Sequence, residues 1–225
     1  MSEQGQSKNI TWKETSRTLT LTGEPVLELS LSWPVVENKR MKRVSRYYER
    51  LSCRWKEHWE REGYWQACSD LAQQREQSRP FRVWRAALSG QVMLDRDGYL
   101  SIAMMAREVR GDGRALEYRW GDTWRWEDGG SVTLKELFCY RRKWKKQLER
   151  ELFQAARECR SQGVCLDEPK AGAVRRWLRE GNFVLGEEKI IFYVPQCTIA
   201  PAVEGAVALS AALPEGLRRD QEKDA

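Results

Sequence analysis

The sequence predicts an α+β fold in which long amphipathic helices pack on one face of an antiparallel sheet. Alternating or β-branched residues predict strands within residues 17–33, 81–127 and 183–213. Two long segments, which begin near Asn38 and Phe138, carry apolar residues at intervals of three and four, as amphipathic helices do. Turns rich in aspartate and glycine join the central strands and favour an antiparallel meander.

The clearest strand prediction lies near the C-terminus. Residues 190–194 are all β-branched or aromatic, which is typical of a strand buried on both faces. Pro195 ends this strand, and Pro201 keeps the following segment from becoming a helix. A second apolar run follows Gly205, at residues 206–213. We expect these two strands to be the inner strands of a single sheet.

The two helical segments are predicted in more detail. Asn38 is the expected N-cap of the first, Gly63 is expected to divide it, and Thr133 with Glu136 forms a capping-box pattern before the second. A shorter helix is predicted at residues 171–180. The apolar stripes comprise Met41, Val44, Tyr48, Leu51 and Trp55, then Trp65, Cys68, Leu71 and Ala72, and in the second segment Trp144, Leu148, Leu152, Ala155 and Ala156.

The predicted organisation has four parts. A flexible N-terminus precedes a strand and long helix, which pack on the main α+β domain, and a charged tail follows. Their ranges are residues 1–16, 17–79, 80–213 and 214–225.

The composition bounds the class of protein. The chain has 225 residues, a net charge of +6, 41% hydrophobic and 32% charged residues, as expected of a globular protein with a charged surface. It contains no apolar run of about 18 residues and no apolar stretch among its first 20 residues, so no membrane span or signal peptide is predicted. The chain as it stands is therefore expected in the cytoplasm, or outside it if a leader was removed.

The cysteines and the single histidine predict no metal site and no cofactor. There is no Cys-x-x-Cys pair, and the only histidine is His58. Of the six cysteines, Cys159 and Cys165 could form a local disulfide, and free thiols are the alternative.

Four pieces of the C-terminal half resemble a known family. They are residues 97–102, 129–138, 182–185 and 192–205, the last being the most specific because it combines Tyr193, Pro195, Ile199, Ala200, Pro201 and Gly205. Together they resemble the C-terminal domain of unknown function of the anti-sigma factor RsiV, which also occurs in some peptidoglycan deacetylases. The resemblance covers about residues 80–213. The turn at residues 110–115 lacks the histidine usual in this family.

The resemblance implies a binding or sensing domain. RsiV-type ectodomains bind lysozyme, but a chain of net charge +6 would be repelled by that strongly basic partner, so we do not expect a tight complex. No membrane anchor, sigma-factor-binding segment or deacetylase domain is recognisable in the sequence.

A possible binding surface lies in the last strand of the meander. Tyr118, Trp120, Trp124 and Trp126 occupy even positions and so share one strand face. This face is either a core face covered by the helices or an exposed aromatic platform for a glycan or protein partner.

Two other kinds of site are possible from the charged residues, namely a nucleic-acid-binding surface and a catalytic carboxylate pair. Residues 38–62 contain nine Lys/Arg and four Glu, and residues 138–162 contain eight and three, so these helices could meet nucleic-acid phosphates or could be ordinary solvated faces. No nucleic-acid-binding motif accompanies them. Carboxylate pairs such as Asp95 with Asp97, or Asp112 with Asp122, fall where tight turns select aspartate, so no catalytic residue is predicted.

The sequence therefore predicts a non-enzymatic binding or sensing domain. The alternatives are an accessory domain of a peptidoglycan enzyme and a weak nucleic-acid-binding protein.

Overall fold

A computed structural model describes residues 9–96, 98–138, 143–164, 182–214 and 217. The described chain combines helices with two sheets, which confirms the α+β class. The strands are β1 (Ile10–Leu21), β2 (Glu24–Val36), β3 (Trp84–Arg96), β4 (Tyr99–Val109), β5 (Ala115–Arg125), β6 (Val184–Leu185), β7 (Lys189–Val194) and β8 (Val207–Ala212). The α-helices are α1 (Lys42–His58), α2 (Tyr64–Glu76), α3 (Leu134–Leu137) and α4 (Trp144–Ser161).

The strands form two sheets, so the expectation of a single antiparallel sheet is wrong. One sheet has the order β1-β2-β3-β4-β5, and the other is the antiparallel sheet β6-β7-β8. Strand β2 pairs in parallel with β3, from Leu27 opposite Trp84 to Leu31 opposite Leu88. The reason is that α1 and α2 lie between these strands in sequence, and a helical crossover returns the chain in its original direction.

The chain divides into two compact units. Unit 1 comprises the residues up to Gln91 together with Met104–Arg119, and unit 2 comprises Val92–Ala103 and the residues from Trp120 onward. The long strands β3, β4 and β5 therefore contribute residues to both units. The boundary predicted between residues 79 and 80 reflects the reach of a family resemblance and stays a prediction.

The first two strands of unit 1 are longer than predicted. Strand β1 begins at Ile10, so part of the segment expected to be flexible is paired with β2. Strand β2 buries Leu27, Leu29 and Leu31, which confirms the alternating pattern, but it continues through Pro34 to Val36. Beyond Leu31, β2 pairs with β1 alone among the described residues, and proline is tolerated where one side of a strand lacks a neighbour.

Helix α1 packs three of the five residues of its predicted apolar stripe into the core of unit 1, while Leu51 and Trp55 are partly exposed. The side chain of Asn38 accepts a hydrogen bond from the Arg40 backbone N–H at 2.9 Å and caps a 3₁₀ turn, Lys39–Met41, that leads into the helix. Met41, Val44 and Tyr48 are completely buried.

A π-helical turn, Trp59–Gly63, separates α1 from α2 and changes which residues are buried. Gly63, Ala67 and Leu71 face the core, whereas Trp65 is 73% exposed, so its predicted place in the apolar stripe is wrong. A π turn holds one residue more than an α turn, which rotates the following helix face relative to the preceding one.

The core of unit 2 is built around β7, which lies between β6 and β8. Ile190, Phe192 and Val194 are almost inaccessible to solvent, and Tyr193 is buried as well, so the prediction of a buried inner strand is confirmed for β7. Strand β8 pairs only with β7 among the described strands, so its expected inner position is wrong. Helix α4 packs Trp144, Leu148, Leu152 and Ala156 into the same core, as predicted.

The start of α4 differs from the prediction. The helix begins at Trp144 instead of Phe138, because Lys143 has a left-handed backbone conformation, with φ of 78°. The capping box of Thr133 and Glu136 is present at α3. The helix predicted at residues 171–180 lies outside the described residues.

Candidate binding site

The four aromatic residues of the predicted binding surface differ in exposure. Tyr118 is 54% exposed, Trp120 and Trp126 are partly buried, and Trp124 is buried. Thr123 is buried next to Trp124, which interrupts the alternation of strand faces on which the prediction rested. Tyr118 belongs to unit 1 and the three tryptophans to unit 2, and the four side chains are not equally exposed.

Two of the tryptophans serve local structure in unit 2. The indole N–H of Trp126 donates to Asp95 Oδ1 at 2.7 Å, and its backbone N–H donates to the Gly98 carbonyl. Trp124 forms an isolated antiparallel bridge with Ser131. These contacts close the turns at the ends of β4 and β5.

Tyr118 lies at the exposed end of an aromatic cluster in unit 1. Its ring centroid is 5.6 Å from that of Trp55, and Trp55 lies 5.2 Å from Trp59 and 5.8 Å from His58. Trp59 is only 1% exposed, whereas Trp55 and His58 are partly exposed. The aromatic cluster, defined as Trp55, His58, Trp59 and Tyr118, thus extends from the core of unit 1 to its surface.

Polar side chains flank this cluster. His58 Nδ1 lies 3.2 Å from Glu62 Oε2 one helical turn away. Arg119 Nε lies 2.8 Å from Glu117 Oε1, but both residues neighbour Tyr118 on β5 and therefore project from the opposite face of that strand. Exposed polar contacts of this kind add little stability. The polar atoms of His58 and Glu62 can instead form hydrogen bonds with a ligand that stacks on the rings.

The sequence did not predict that Trp55 belongs to the aromatic cluster. The helical periodicity places Trp55 on the apolar face of α1, and its contact with Tyr118 depends on the packing of β5 beside that helix. The only sequence signal is that Trp55 stands at the end of the stripe, where coverage by the core is least complete.

The residues of the C-terminal motif contribute to the core of unit 2 and to the turn before β8. Tyr193, Ile199 and Ala200 are buried, while Pro195 and Pro201 are exposed. Gly205 has a φ of 67°, a conformation that favours glycine and that turns the chain into β8.

The remaining candidates were the carboxylate pairs and the cysteines. Asp95 accepts the Trp126 bond, Asp112 Oδ1 accepts from the Arg114 backbone N–H at 2.9 Å, and Asp97 lies outside the described residues. Within the described part of the chain, no group of three or more histidine, cysteine or acidic residues could hold a metal ion. Cys53, Cys68, Cys159 and Cys197 are free thiols.

One network of charged side chains in unit 2 shifts the pKa values of its three members, Arg125, Asp128 and Glu136. Arg125 Nε lies 3.3 Å from Asp128 Oδ1, and Arg125 Nη1 lies 3.1 Å from Glu136 Oε1. The hydrogen bond with Asp128 raises the pKa of Arg125, and the bond from Arg125 lowers the pKa of Asp128. The pKa of Glu136 is lowered first by the hydrogen bond from the Thr133 backbone N–H, which identifies this carboxylate as a helix cap.

Comparison with known proteins supports the fold. No family model matches the sequence, and neither does any curated protein. A solved structure of a DUF3298 family member from Bacteroides fragilis matches with a TM-score of 0.61 and 15% identity, over 91% of this chain and 92% of that one. A DUF3298 family protein from Pseudomonas aeruginosa matches with a TM-score of 0.54 and 12% identity, over 91% and 88%. This chain has the fold of DUF3298 proteins.

The similarity to a domain of unknown function is therefore confirmed at the level of the fold. The more specific link to RsiV and to peptidoglycan deacetylases stays a prediction, as does the expected weakness of lysozyme binding. Among the described residues, no helix is both long and apolar enough to cross a membrane.

Proposed function

We propose that this chain is a non-enzymatic binding domain whose ligand stacks on Tyr118 and Trp55. The observation that carries the proposal is that Tyr118 is 54% exposed while its ring packs directly against the ring of the partly exposed Trp55. Covering the face of a large aromatic side chain lowers the free energy of the complex. Tyr118 and Trp55 each also have a polar atom at the edge of the ring that can remain hydrogen-bonded.

The ligand class that fits this surface is a carbohydrate. A sugar ring has apolar faces, which suit the rings of Tyr118 and Trp55, and a hydroxyl-rich edge, which suits polar neighbours such as His58 and Glu62. The resemblance to domains found with peptidoglycan deacetylases supports a cell-wall glycan as the natural source. In that setting the chain would act as an accessory domain beside an enzyme.

The proposal is tested by titrating the protein with a chitin tetrasaccharide and with soluble peptidoglycan fragments, followed by calorimetry. We expect saturable binding that Tyr118→Ala weakens about fivefold or more, since stacking on one ring contributes about 1 kcal/mol. The matched control is Trp65→Ala, which removes another exposed aromatic ring of unit 1 and should leave the affinity unchanged. Absence of saturable binding to either probe, or equal losses in the two variants, would contradict the proposal.

A further inference from the structure

A stripe of basic side chains runs along α1 and the 3₁₀ turn before it. The members follow one another at intervals of three or four residues, so they lie on one side of the helix, over about 22 Å at 1.5 Å per residue. All are exposed. The basic stripe consists of Lys39, Arg43, Arg46, Arg50 and Arg54.

The charges of the basic stripe are not neutralised within the described part of the chain. None of its five members forms an ion pair with another described residue. Other arginines of unit 1 do form such pairs, namely Arg17, Arg75, Arg85, Arg110, Arg114 and Arg119. The acidic residue on this stretch of α1, Glu49, is exposed and pairs with none of the stripe. The stripe is therefore a concentrated positive field at the surface.

We infer that the basic stripe binds the phosphates of a single-stranded nucleic acid. Four of its five members are arginines, and a guanidinium group holds a phosphate through two parallel hydrogen bonds. Their spacing along the axis of α1 is about 4.5 to 6 Å, and a flexible single strand can adjust its phosphates to such a row.

An aromatic side chain beside the stripe supports a nucleic acid over other polyanions. Tyr47 is 36% exposed and lies about one helical turn from two members of the stripe, four residues after Arg43 and three before Arg50. Its ring packs edge-on against the buried Tyr48, with centroids 5.0 Å apart, which holds it in place. A basic track with an aromatic ring at its side is the arrangement with which proteins bind single strands, because a base can stack on the ring.

The other face of α1 argues against a membrane surface as the partner. An interfacial helix inserts its apolar side between lipids, but Met41, Val44 and Tyr48 are completely buried in unit 1. Trp55 also belongs to this apolar side and not to the basic stripe. The inference is therefore independent of the proposed carbohydrate site, and each can fail without the other.

The test measures binding of a fluorescent oligothymidine of about 16 nucleotides by anisotropy at several salt concentrations. With five phosphates neutralised, the logarithm of the association constant should fall against the logarithm of the salt concentration with a slope of about −3.5. The triple variant Arg43→Gln, Arg46→Gln, Arg50→Gln should make this slope about 2 units shallower. Glutamine has a similar helix propensity to arginine, so the fold should be kept, which a thermal melt checks.

A matched control removes the same charge from the other basic helix. The variant Lys146→Gln, Arg150→Gln, Arg157→Gln replaces three exposed residues of α4 and should leave the slope unchanged. Tyr47→Ser should weaken binding about fivefold or more without altering the slope. Equal losses in the two triple variants would attribute binding to net charge and overturn the inference. So would undetectable binding, equal affinity for a duplex of the same length, or binding only to vesicles of anionic lipid.

Discussion

The hydroxyl groups of Ser101 and Thr123 lie 2.8 Å apart in the interior of unit 2. Ser101 Oγ also accepts a hydrogen bond from the Leu185 backbone N–H at 2.8 Å, and Thr123 Oγ1 donates to the Phe183 carbonyl at 3.4 Å. The two hydroxyls on β4 and β5 thereby satisfy backbone groups at the short strand β6, which belongs to the other sheet. Within unit 2, these bonds connect the two sheets.

Replacement of Ser101 should therefore destabilise unit 2. In Ser101→Ala, the buried N–H of Leu185 loses its acceptor, and an unsatisfied buried donor costs about 1–3 kcal/mol. Urea unfolding followed by circular dichroism measures the change in the free energy of unfolding. The control is Ser30→Ala on the exposed side of β2, which should change it by less than about 0.5 kcal/mol. A Ser101→Ala protein as stable as the wild type would show that these bonds contribute nothing net.

Gly121 has no room for a side chain. A Cβ atom there would overlap Val184 Cγ1 and would lie 2.9 Å from the Phe183 carbonyl oxygen. Because backbone atoms cannot move aside cheaply, Gly121→Ala should lower the free energy of unfolding by about 1–3 kcal/mol or more. The same measurement on Gly63→Ala gives the contrast.

At Gly63 a Cβ would meet Leu27 and Trp59 at 3.5 Å, an ordinary van der Waals distance. Alanine there should stabilise the protein by about 0.5–1 kcal/mol, because glycine loses more backbone entropy in a helical segment. If both substitutions had the same effect, the close approach at Gly121 would be wrong.

The sequence predicted the β7–β8 pair and the capping box of α3 because residues within each segment determine these features. The pairing of β7 with β8 follows from a β-branched run, two prolines and a second apolar run. Thr133 and Glu136 form the capping box that marks the start of α3. Which strands share a sheet is not a local property. The parallel pairing of β2 with β3 depends on where the crossover through α1 and α2 returns the chain, and no residue within either strand specifies it.

The candidate site was predicted in part for the same reason. The exposure of Tyr118 fits the expected aromatic surface, but its neighbour Trp55 comes from a distant part of the sequence. Alternation along β5 could not reveal that Thr123 and Trp124 are both buried, since that depends on packing within unit 2.

Stability should fall in acid, in part because of Glu136. Hydrogen bonds from Thr133 and the charge of Arg125 lower the pKa of this carboxyl below its ordinary value of 4.5. Folding therefore favours the ionised form, so the stabilisation is complete above pH 4.5 and is lost as the pH falls through the lower folded-state pKa. Glu136→Gln should show a shallower acid loss of the free energy of unfolding than the wild type.

The shallower dependence is measured by urea unfolding at neutral and at acidic pH. Some acid sensitivity should remain in Glu136→Gln, because the bond with Arg125 lowers the pKa of Asp128 as well. Glu204→Gln, which replaces an exposed glutamate of the same unit, is the control. Identical pH profiles for Glu136→Gln and the wild type would mean that the cap carries no proton linkage.

Trp59, the first residue of the π turn, and Trp65, just after the turn, should differ strongly in how much their substitution changes stability. Trp59 is 1% exposed and packs against Trp55, so Trp59→Ala should lower the free energy of unfolding by about 3–5 kcal/mol. Trp65 is 73% exposed, so Trp65→Gln should change it by less than about 0.5 kcal/mol. The sequence pattern places Trp65 in the apolar stripe that follows Gly63, whereas after the π turn it lies at the surface. A large loss of stability in Trp65→Gln would therefore contradict this exposed position.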